Sequence, residues 1–423
     1  MKFEDYHISQ KIKQSLAELD FRRPTDIQFK AITPILQGTD VLAIAQTGTG
    51  KTGAFVIPSL ELISRNHAQT RSDESFIHTI VMEPTRELVI QVAEVFRSIG
   101  KYQDLTVLGL FGGVEQDPQI ARLKHGVDVL VCTPGRLFDL VSQGHVQLNR
   151  IKLLVLDEAD QMLDLGFIND IRQLIKHLPK RRQTLFFSAT INPEIKELAY
   201  SLVSKPVKIE ISPKDPVSKH VDHYVSYIEM DDKRFFLERL IKENPEDKML
   251  VFVRTKVRAE RVKKAMERAD IVCETIHGSK TQQERNHVMQ DFRSGALKIL
   301  IATDVSARGI DIPNIDLVIN YDLPEQTENY VHRVGRTGRG DKFGRSISFC
   351  SKEERPLLQE IETYLTKPIN ELTIDKGTYK ETIKMTADHT LNDLKDMLTE
   401  IDQIDEFNRK KNKSKKHKIC KKS

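Results

Sequence analysis

Short runs of apolar residues, each closed by a turn and followed by a stretch with helical spacing, recur along this chain. A first set occupies residues 41–45, 79–82, 128–132, 153–156 and 184–188, and a second set 249–253, 298–302, 317–320 and 346–349. A run that is apolar at every position has no face to offer water, so it fits a strand covered on both sides. Alternation of such strands with helices specifies an α/β fold built on parallel sheets. Right-handed crossovers then gather the loops that leave the strands along one edge, where open sheets of this kind bind ligands. Residues 204–220 separate the two sets and hold Pro206, Pro213 and Pro216. The expected organisation is one domain over 1–210, a hinge over 211–219 centred on 213–219, and a second domain over 220–365. From 366 to 423 the strand pattern fades, although 391–404 has the spacing of one amphipathic helix. The Lys-rich end, from residue 408, is expected to be disordered.

A chain of 423 residues with 39% hydrophobic and 30% charged residues can bury two cores. Its cysteines, Cys132, Cys273, Cys350 and Cys420, stand far apart, with no CxxC spacing and no accompanying histidine series. That argues against a disulfide framework or a zinc site, and for a reducing, cytoplasmic setting. The start, MKFEDYHISQ, carries acids and lacks an apolar centre, so it does not read as a secretory signal. No apolar run reaches the ~18–20 residues that a membrane span needs. The net charge of +4 conceals an asymmetry: residues 408–423 carry nine Lys and Arg and no acid, which leaves −5 for residues 1–407. A body with that balance binds nucleic acid through localised groups rather than a general field, whereas the tail is expected to add salt-sensitive, non-specific affinity.

Residues 45–52, Ala-Gln-Thr-Gly-Thr-Gly-Lys-Thr, leave the run at 41–45 and enter a helical stretch. Glycines in such a turn let backbone N–H groups converge on phosphate oxygens. Lys51 then supplies a cation at the β- and γ-phosphates, and the Thr52 hydroxyl a ligand for Mg²⁺. Thr47, Gly48, Thr49 and Gly50 complete the cradle; the strict pattern wants Gly at position 45, where this chain has Ala. The run 153–156 ends in Asp157-Glu158-Ala159-Asp160. An acid at that strand end can hold Mg²⁺ through water while its neighbour orients an attacking water, although acids after a strand are also common as plain surface residues. In the second half, His332-Arg333-Val334-Gly335-Arg336-Thr337-Gly338-Arg339 spaces three arginines by glycines. This fits guanidinium groups aimed at a γ-phosphoryl or, alternatively, an exposed basic loop on a phosphate backbone.

With Phe21-x-x-Pro24-Thr25-x-Ile27-Gln28 upstream, these segments resemble the motif series of DEAD-box RNA helicases, in the family's order over residues 3–350. The resemblance implies two tandem RecA-like domains joined by a short hinge, here with a basic C-terminal tail, and ATP with Mg²⁺ as cofactors. It implies that Gln28 reads the adenine edge with Phe3 and Phe21 near the base; Asp20, where the family usually has Gly, departs at the local turn. Asp157 and Thr52 would hold Mg²⁺, Glu158 would position water, and Lys51, Arg336 and Arg339 would act on the phosphates, with Gly309 and Asp311 near the nucleotide. An RNA backbone would lie against Pro84, Thr85, Arg86, Gly113, Thr133 and Arg136 of the first domain and Arg254, Gln282, Arg285 and Thr303 of the second. Ser188, Thr190, Asp160 and His332 would couple the two ligands. The short flanks are most similar to bacterial RhlE-type members. The implied function is RNA-stimulated ATP hydrolysis, coupled to domain closure and to local, non-processive unwinding of short duplexes or remodelling of RNA–protein complexes. An RNA clamp that separates no strands and a DNA translocase are the rivals. Ribosome precursors and mRNA decay factors both stay open as partners, and no membrane is expected to take part.

Overall fold

Each run that is apolar on both faces becomes a strand, and the computed structural model assembles these strands into two seven-stranded sheets. It describes residues 2–46, 48–69, 76–211, 217, 220–304, 315–338 and 343–384. The first sheet contains β1 (Val41–Ala45), β2 (Thr79–Met82), β3 (Val107–Leu110), β4 (Val129–Cys132), β5 (Leu153–Leu156), β6 (Gln183–Ser188) and β7 (Val207–Ile211), in the order β3-β4-β2-β5-β6-β1-β7. The second contains β8 (Val221–Tyr227), β9 (Met249–Phe252), β10 (Glu274–Ile276), β11 (Ile299–Ala302), β12 (Leu317–Asn320), β13 (Gly344–Cys350) and β14 (Asn370–Glu371), in the order β10-β11-β9-β12-β13-β8-β14. All pairings are parallel, so the C-terminal strand ends of each sheet share one edge.

The period of two sorts side chains between the two faces. Along β1, Val41, Ala43 and Ala45 enter one core and Leu42 the other. Helices Lys51–Gln69 and Arg86–Ile99 cover the first face, while Pro134–Ser142 and Pro193–Leu202 cover the second. The helix Arg86–Ile99 shows how local rules reach the core. Thr85 caps it by accepting from the Leu88 N–H (3.4 Å), and Val89, Val92, Ala93, Phe96 and Ile99 then form one buried stripe. No helix among the described residues is long and apolar enough to cross a membrane.

The first domain's expected end at 210 falls within β7, and the second domain runs past its expected end at 365. The proline-bearing separator 204–220 contains β7, which pairs along β1 from Val41↔Val207 to Ala45↔Ile211. Its sequence, Val-Lys-Ile-Glu-Ile, alternates because it is an edge strand with a solvated face, unlike the all-apolar inner strands. The second sheet likewise extends past residue 365. Asn370–Glu371 pairs with β8, and Tyr379 packs its ring 4.8 Å from Phe236 while its hydroxyl donates to Asp232 (2.8 Å). Hinge residues 212–216 and 218–219, the 391–404 segment and the Lys-rich end lie outside the described residues.

Candidate functional site

The strand ends of the first sheet bring the expected phosphate loop and acids to one edge, since β1, β6, β5 and β2 are neighbours. Ala45 is the last residue of β1 and 1% exposed, in the extended conformation with its Cβ in the core. That is why the loop tolerates Ala where the strict pattern has Gly. Within the loop the Thr49 hydroxyl donates to the Gln46 carbonyl (2.8 Å). Gly50 has φ +93°, and a Cβ there would lie 2.8 Å from Gln28 Nε2, so this position requires glycine twice over. Thr52 follows in the first turn of the helix Lys51–Gln69.

Four charged side chains are buried together at this edge. Lys51 Nζ lies 2.9 Å from Glu158 Oε1, and both groups are nearly sealed from solvent. Burial pulls the Lys51 pKa down, but Glu158, Asp157 and Asp160 outweigh it and leave the ammonium held above its ordinary value. Asp157 is pushed up to about 7, first by burial and then by Glu158 and Asp160, against the opposing pull of Lys51. Glu158 sits in the left-handed region at φ +48°, which turns the chain sharply from β5 into the helix Ala159–Asp164. Such strain in a non-glycine residue costs on the order of 1–3 kcal/mol and is characteristic of functional turns.

The fourth group is Glu83, which the motif reading passed over. It is 0% exposed, and burial, then Asp157 and Glu158, drive its pKa well above the carboxylate range. The available signal was the pattern Thr79–Met82 followed by an acid, the same pattern that picked out Asp157 after Leu153–Leu156.

Asp160 meets the expected coupling segment directly. Its Oδ2 accepts from the Ala189 N–H (3.1 Å), the Thr190 N–H (2.9 Å) and the Thr190 hydroxyl (3.2 Å). Ser188, at the end of β6, is fully buried. Gln28 is 4% exposed; its Nε2 donates to the Gly50 carbonyl (3.1 Å) and its Oε1 accepts from the Thr25 N–H (3.0 Å). It therefore ties the upstream segment to the phosphate loop. Of the two aromatic residues expected near a base, Phe3 is 3% exposed and packs 6.2 Å from Phe21, centroid to centroid. Both line one hollow of about 420 Å³, but the ring with an open face is Phe21, at 36%. Phe3 thus sits covered behind Phe21 at this hollow. Asp20 takes φ +58°, so the turn that glycine usually makes is kept by an aspartate in the left-handed region.

The residues expected to face a nucleic-acid backbone converge from both domains. Arg86 Nη1 donates to Gln282 Oε1 (2.9 Å), and Arg285 pairs with Glu87 (2.6 Å). Gly113, at φ +74°, lies under the Arg86 guanidinium, which a Cβ would run into. Arg136 donates to the Val114 carbonyl (3.0 Å). Burial, then the charges of Arg285 and Arg136, hold the Arg86 pKa below its ordinary value. Arg136 Nη1 and Arg285 Nε are buried without a hydrogen-bond partner. Pro84 and Thr133 are buried beside this cluster's strand ends, while Thr85 and Thr133 occupy the caps of helices Arg86–Ile99 and Pro134–Ser142. Arg254 does not join the cluster. It pairs with Glu354 (3.3 Å) and Glu325 (3.6 Å) and lines a separate groove of about 660 Å³. Thr303, at the end of β11, is 9% exposed.

In the second domain Arg336 is 5% exposed and its Nε donates to the carbonyl of His332, itself 9% exposed. Arg333, between them in sequence, is spent inside the domain on Asp304, Asn320 Oδ1 and the Asp322 carbonyl. Thr47, Gly309, Asp311 and Arg339 lie outside the described residues.

A phosphate loop, carboxylates at the neighbouring strand ends and a second parallel sheet of the same strand order define a nucleotide-hydrolysing protein of the two-domain, tandem RecA-like class. The sequence matches the DEAD/DEAH box helicase family over residues 25–198 and the helicase conserved C-terminal domain over 232–341. It is 39% identical to the ATP-dependent RNA helicase DbpA of Bacillus subtilis (strain 168) over 364 residues, 86% of this chain and 74% of that protein. It is 39% identical to the ATP-dependent RNA helicase RhlB of Shewanella sp. (strain ANA-3) over 384 residues, 90% of this chain and 88% of that one. Dbp5 of S. cerevisiae, solved bound to RNA and ADP BeF3, superimposes with a TM-score of 0.79 at 30% identity, over 90% of this chain and 99% of that one. The chain belongs to the DEAD-box ATP-dependent RNA helicases, and is an ATP-hydrolysing enzyme of that family. Relatives with two different subgroup names match at the same identity, so the shared core does not assign it to the RhlE-type subgroup.

Proposed function

We propose that ATP is bound and hydrolysed between the first-domain edge built by Lys51, Thr52, Asp157 and Glu158 and the second-domain arginines Arg336 and Arg339, and that RNA binding drives the two edges into register. In this reading Gln28 and Phe21 hold the adenine, with Phe3 behind. Residues 47–52 cradle the phosphates, and Gly309 and Asp311 meet the nucleotide from the other side. Glu158, fixed by Lys51 and by its turn, orients the attacking water. The guanidinium of Arg336 stabilises charge developing on the γ-phosphoryl.

The donor set fits Mg²⁺. Thr52 offers a hydroxyl and Asp157 a buried carboxylate, and no group of three His, Cys, Asp or Glu side chains among the described residues forms a cage of its own. An ion held there needs phosphate oxygens, so it arrives with the nucleotide. When bound, Mg²⁺ neutralises phosphate charge.

The observation that carries the RNA reading is the convergence of Arg86, Arg136 and Arg285, from two domains, with buried N–H groups unmet. Three crowded cations, two of them with unmet donors, call for a polyanion, and a backbone phosphate satisfies them without regard to base sequence. Thr85, Gly113, Thr133, Gln282 and Thr303 border this track. Asp160 and the Ser188–Thr190 segment link it to the nucleotide edge, with His332 doing so from the second domain. The product of the cycle is local, non-processive strand separation or RNA–protein remodelling. We place the enzyme in the cytoplasm, where free thiols such as Cys132, Cys273 and Cys350 persist.

Two measurements test this reading. ATPase stimulation should be strong with RNA and weak with DNA of the same sequence; equal stimulation would overturn the RNA assignment. Glu158→Gln should hold RNA in a long-lived complex with ATP, and rapid release would remove Glu158 from the water-orienting role.

A further inference from the structure

Glu83 occupies a position that its chemistry makes costly. Strand register pairs Met82 with Leu156, so the next residues, Glu83 and Asp157, stand side by side on adjacent strands, about 4.8 Å apart. Val81 and Val155 point into one core and Met82 and Leu156 into the other. By alternation Glu83 and Asp157 both return to the first face, the one covered by the helix that begins at Lys51. Both Glu83 oxygens are buried, and neither has a hydrogen-bond partner. Its neighbours across the strand ends are Asp157 and Glu158, which are also acceptors. The nearby Cys132 thiol is spent on the Val81 carbonyl (3.6 Å), and Lys51 is spent on Glu158 (2.9 Å).

A sealed carboxylate surrounded by acceptors is stable only with a donor or a cation to come. We infer that Glu83 is a positioning residue of the hydrolytic site, a third carboxylate that accepts hydrogen bonds from the water shell of the divalent cation anchored by Asp157. Direct coordination is not required: a cation seated on Asp157 and phosphate oxygens carries several waters, and each donates two protons to groups around it. Glu83 then orients that shell and retains the ion. This rests on the assignment of Asp157 and Thr52 to Mg²⁺ made above.

The test measures metal binding rather than turnover. Full-length wild type, Glu83→Gln, Glu83→Ala and Glu83→Asp are titrated with Mg²⁺ in the presence of a fluorescent ATP analogue, with Asp157→Asn alongside. Mn²⁺ binding is followed in parallel by electron paramagnetic resonance. The Gln and Ala variants should need about 10-fold more Mg²⁺ for half-maximal binding, the effect typical of losing a partner of a metal's inner ligands. Glu83→Asp should recover part of that loss, and binding of the analogue in chelator should be unchanged. If the Gln and Ala variants titrate like wild type while Asp157→Asn is shifted, the inference about Glu83 is overturned and the metal assignment stands. If Asp157→Asn titrates like wild type as well, the metal assignment fails and the inference falls with it. A role confined to packing would move the melting temperature of the Glu83 variants and leave the Mg²⁺ titration in place, which would also overturn it.

Discussion

The two sheets share one strand order, yet they treat buried charge in opposite ways. Among the described residues of the second domain, every sealed acid is met from within. Lys233 Nζ lies 2.5 Å from Glu354 and 3.9 Å from Asp322, Arg258 lies 2.9 Å from Asp322, and Arg254 3.3 Å from Glu354. Arg333 closes on Asp304. At the matching edge of the first domain, Glu83, Asp157 and Glu158 share the single ammonium of Lys51. The second domain is a finished framework that can hold Arg336 in place. The first is short of positive charge, and in the function proposed here a cation, a nucleotide's contacts and an arginine from across the cleft complete it. Function here is located where the chain leaves its own electrostatics unbalanced.

Replacing one ionisable group on each side should give effects of opposite sign. Lys233→Met removes the sealed ammonium shared by Glu354 and Asp322 and should cost about 3–5 kcal/mol of stability in urea unfolding. A loss below about 1 kcal/mol, the size of an exposed pair, would break the comparison.

Glu83→Gln should instead stabilise the ligand-free protein, and more so at higher pH. The folded state keeps on Glu83 a proton that the unfolded chain releases above its ordinary value of 4.5. Wild-type stability is therefore fully present below that pH and is lost as pH rises, by about 1.4 kcal/mol per pH unit per retained proton. Asp157, pushed up to about 7, adds a second loss that ends near its own titration. The melting-temperature gain of the variant should grow as pH rises above about 4.5; a constant offset would mean that Glu83 is ionised in the folded state.

The smallest effect belongs to the arginine cluster. Arg136→Gln should lower RNA affinity evenly across sequences and reduce the slope of log affinity against log salt by about 1. An unchanged slope would take Arg136 off the phosphate track.

Much of this contrast was legible in the sequence, and its gaps have physical causes. Inner strands announced themselves because both faces are buried, as in Leu-Leu-Val-Leu at 153–156. Strands with a polar face or few residues did not: β3 carries Gly109, β7 and β8 alternate, and β10 has three residues. The motif residues around Lys51, Asp160 and Arg86 do meet at shared sites, because spacing along a parallel sheet translates directly into places on one edge. What spacing could not say was which way a side chain points. Arg333 and Arg336 look alike in sequence, yet one is consumed by Asp304. Phe3 matches the position of a base-stacking ring but lies behind Phe21. Glu83 carried the same strand-then-acid signal as Asp157 and went unread, because no motif names it.

The claim that the first domain's deficit of positive charge is made good from the second is tested most directly at Arg336. RNA-stimulated hydrolysis by Arg336→Ala at saturating ATP should fall by about 10³-fold or more. ATP affinity, measured on the same preparation, should stay close to wild type. Turnover that matches wild type would contradict the composite site.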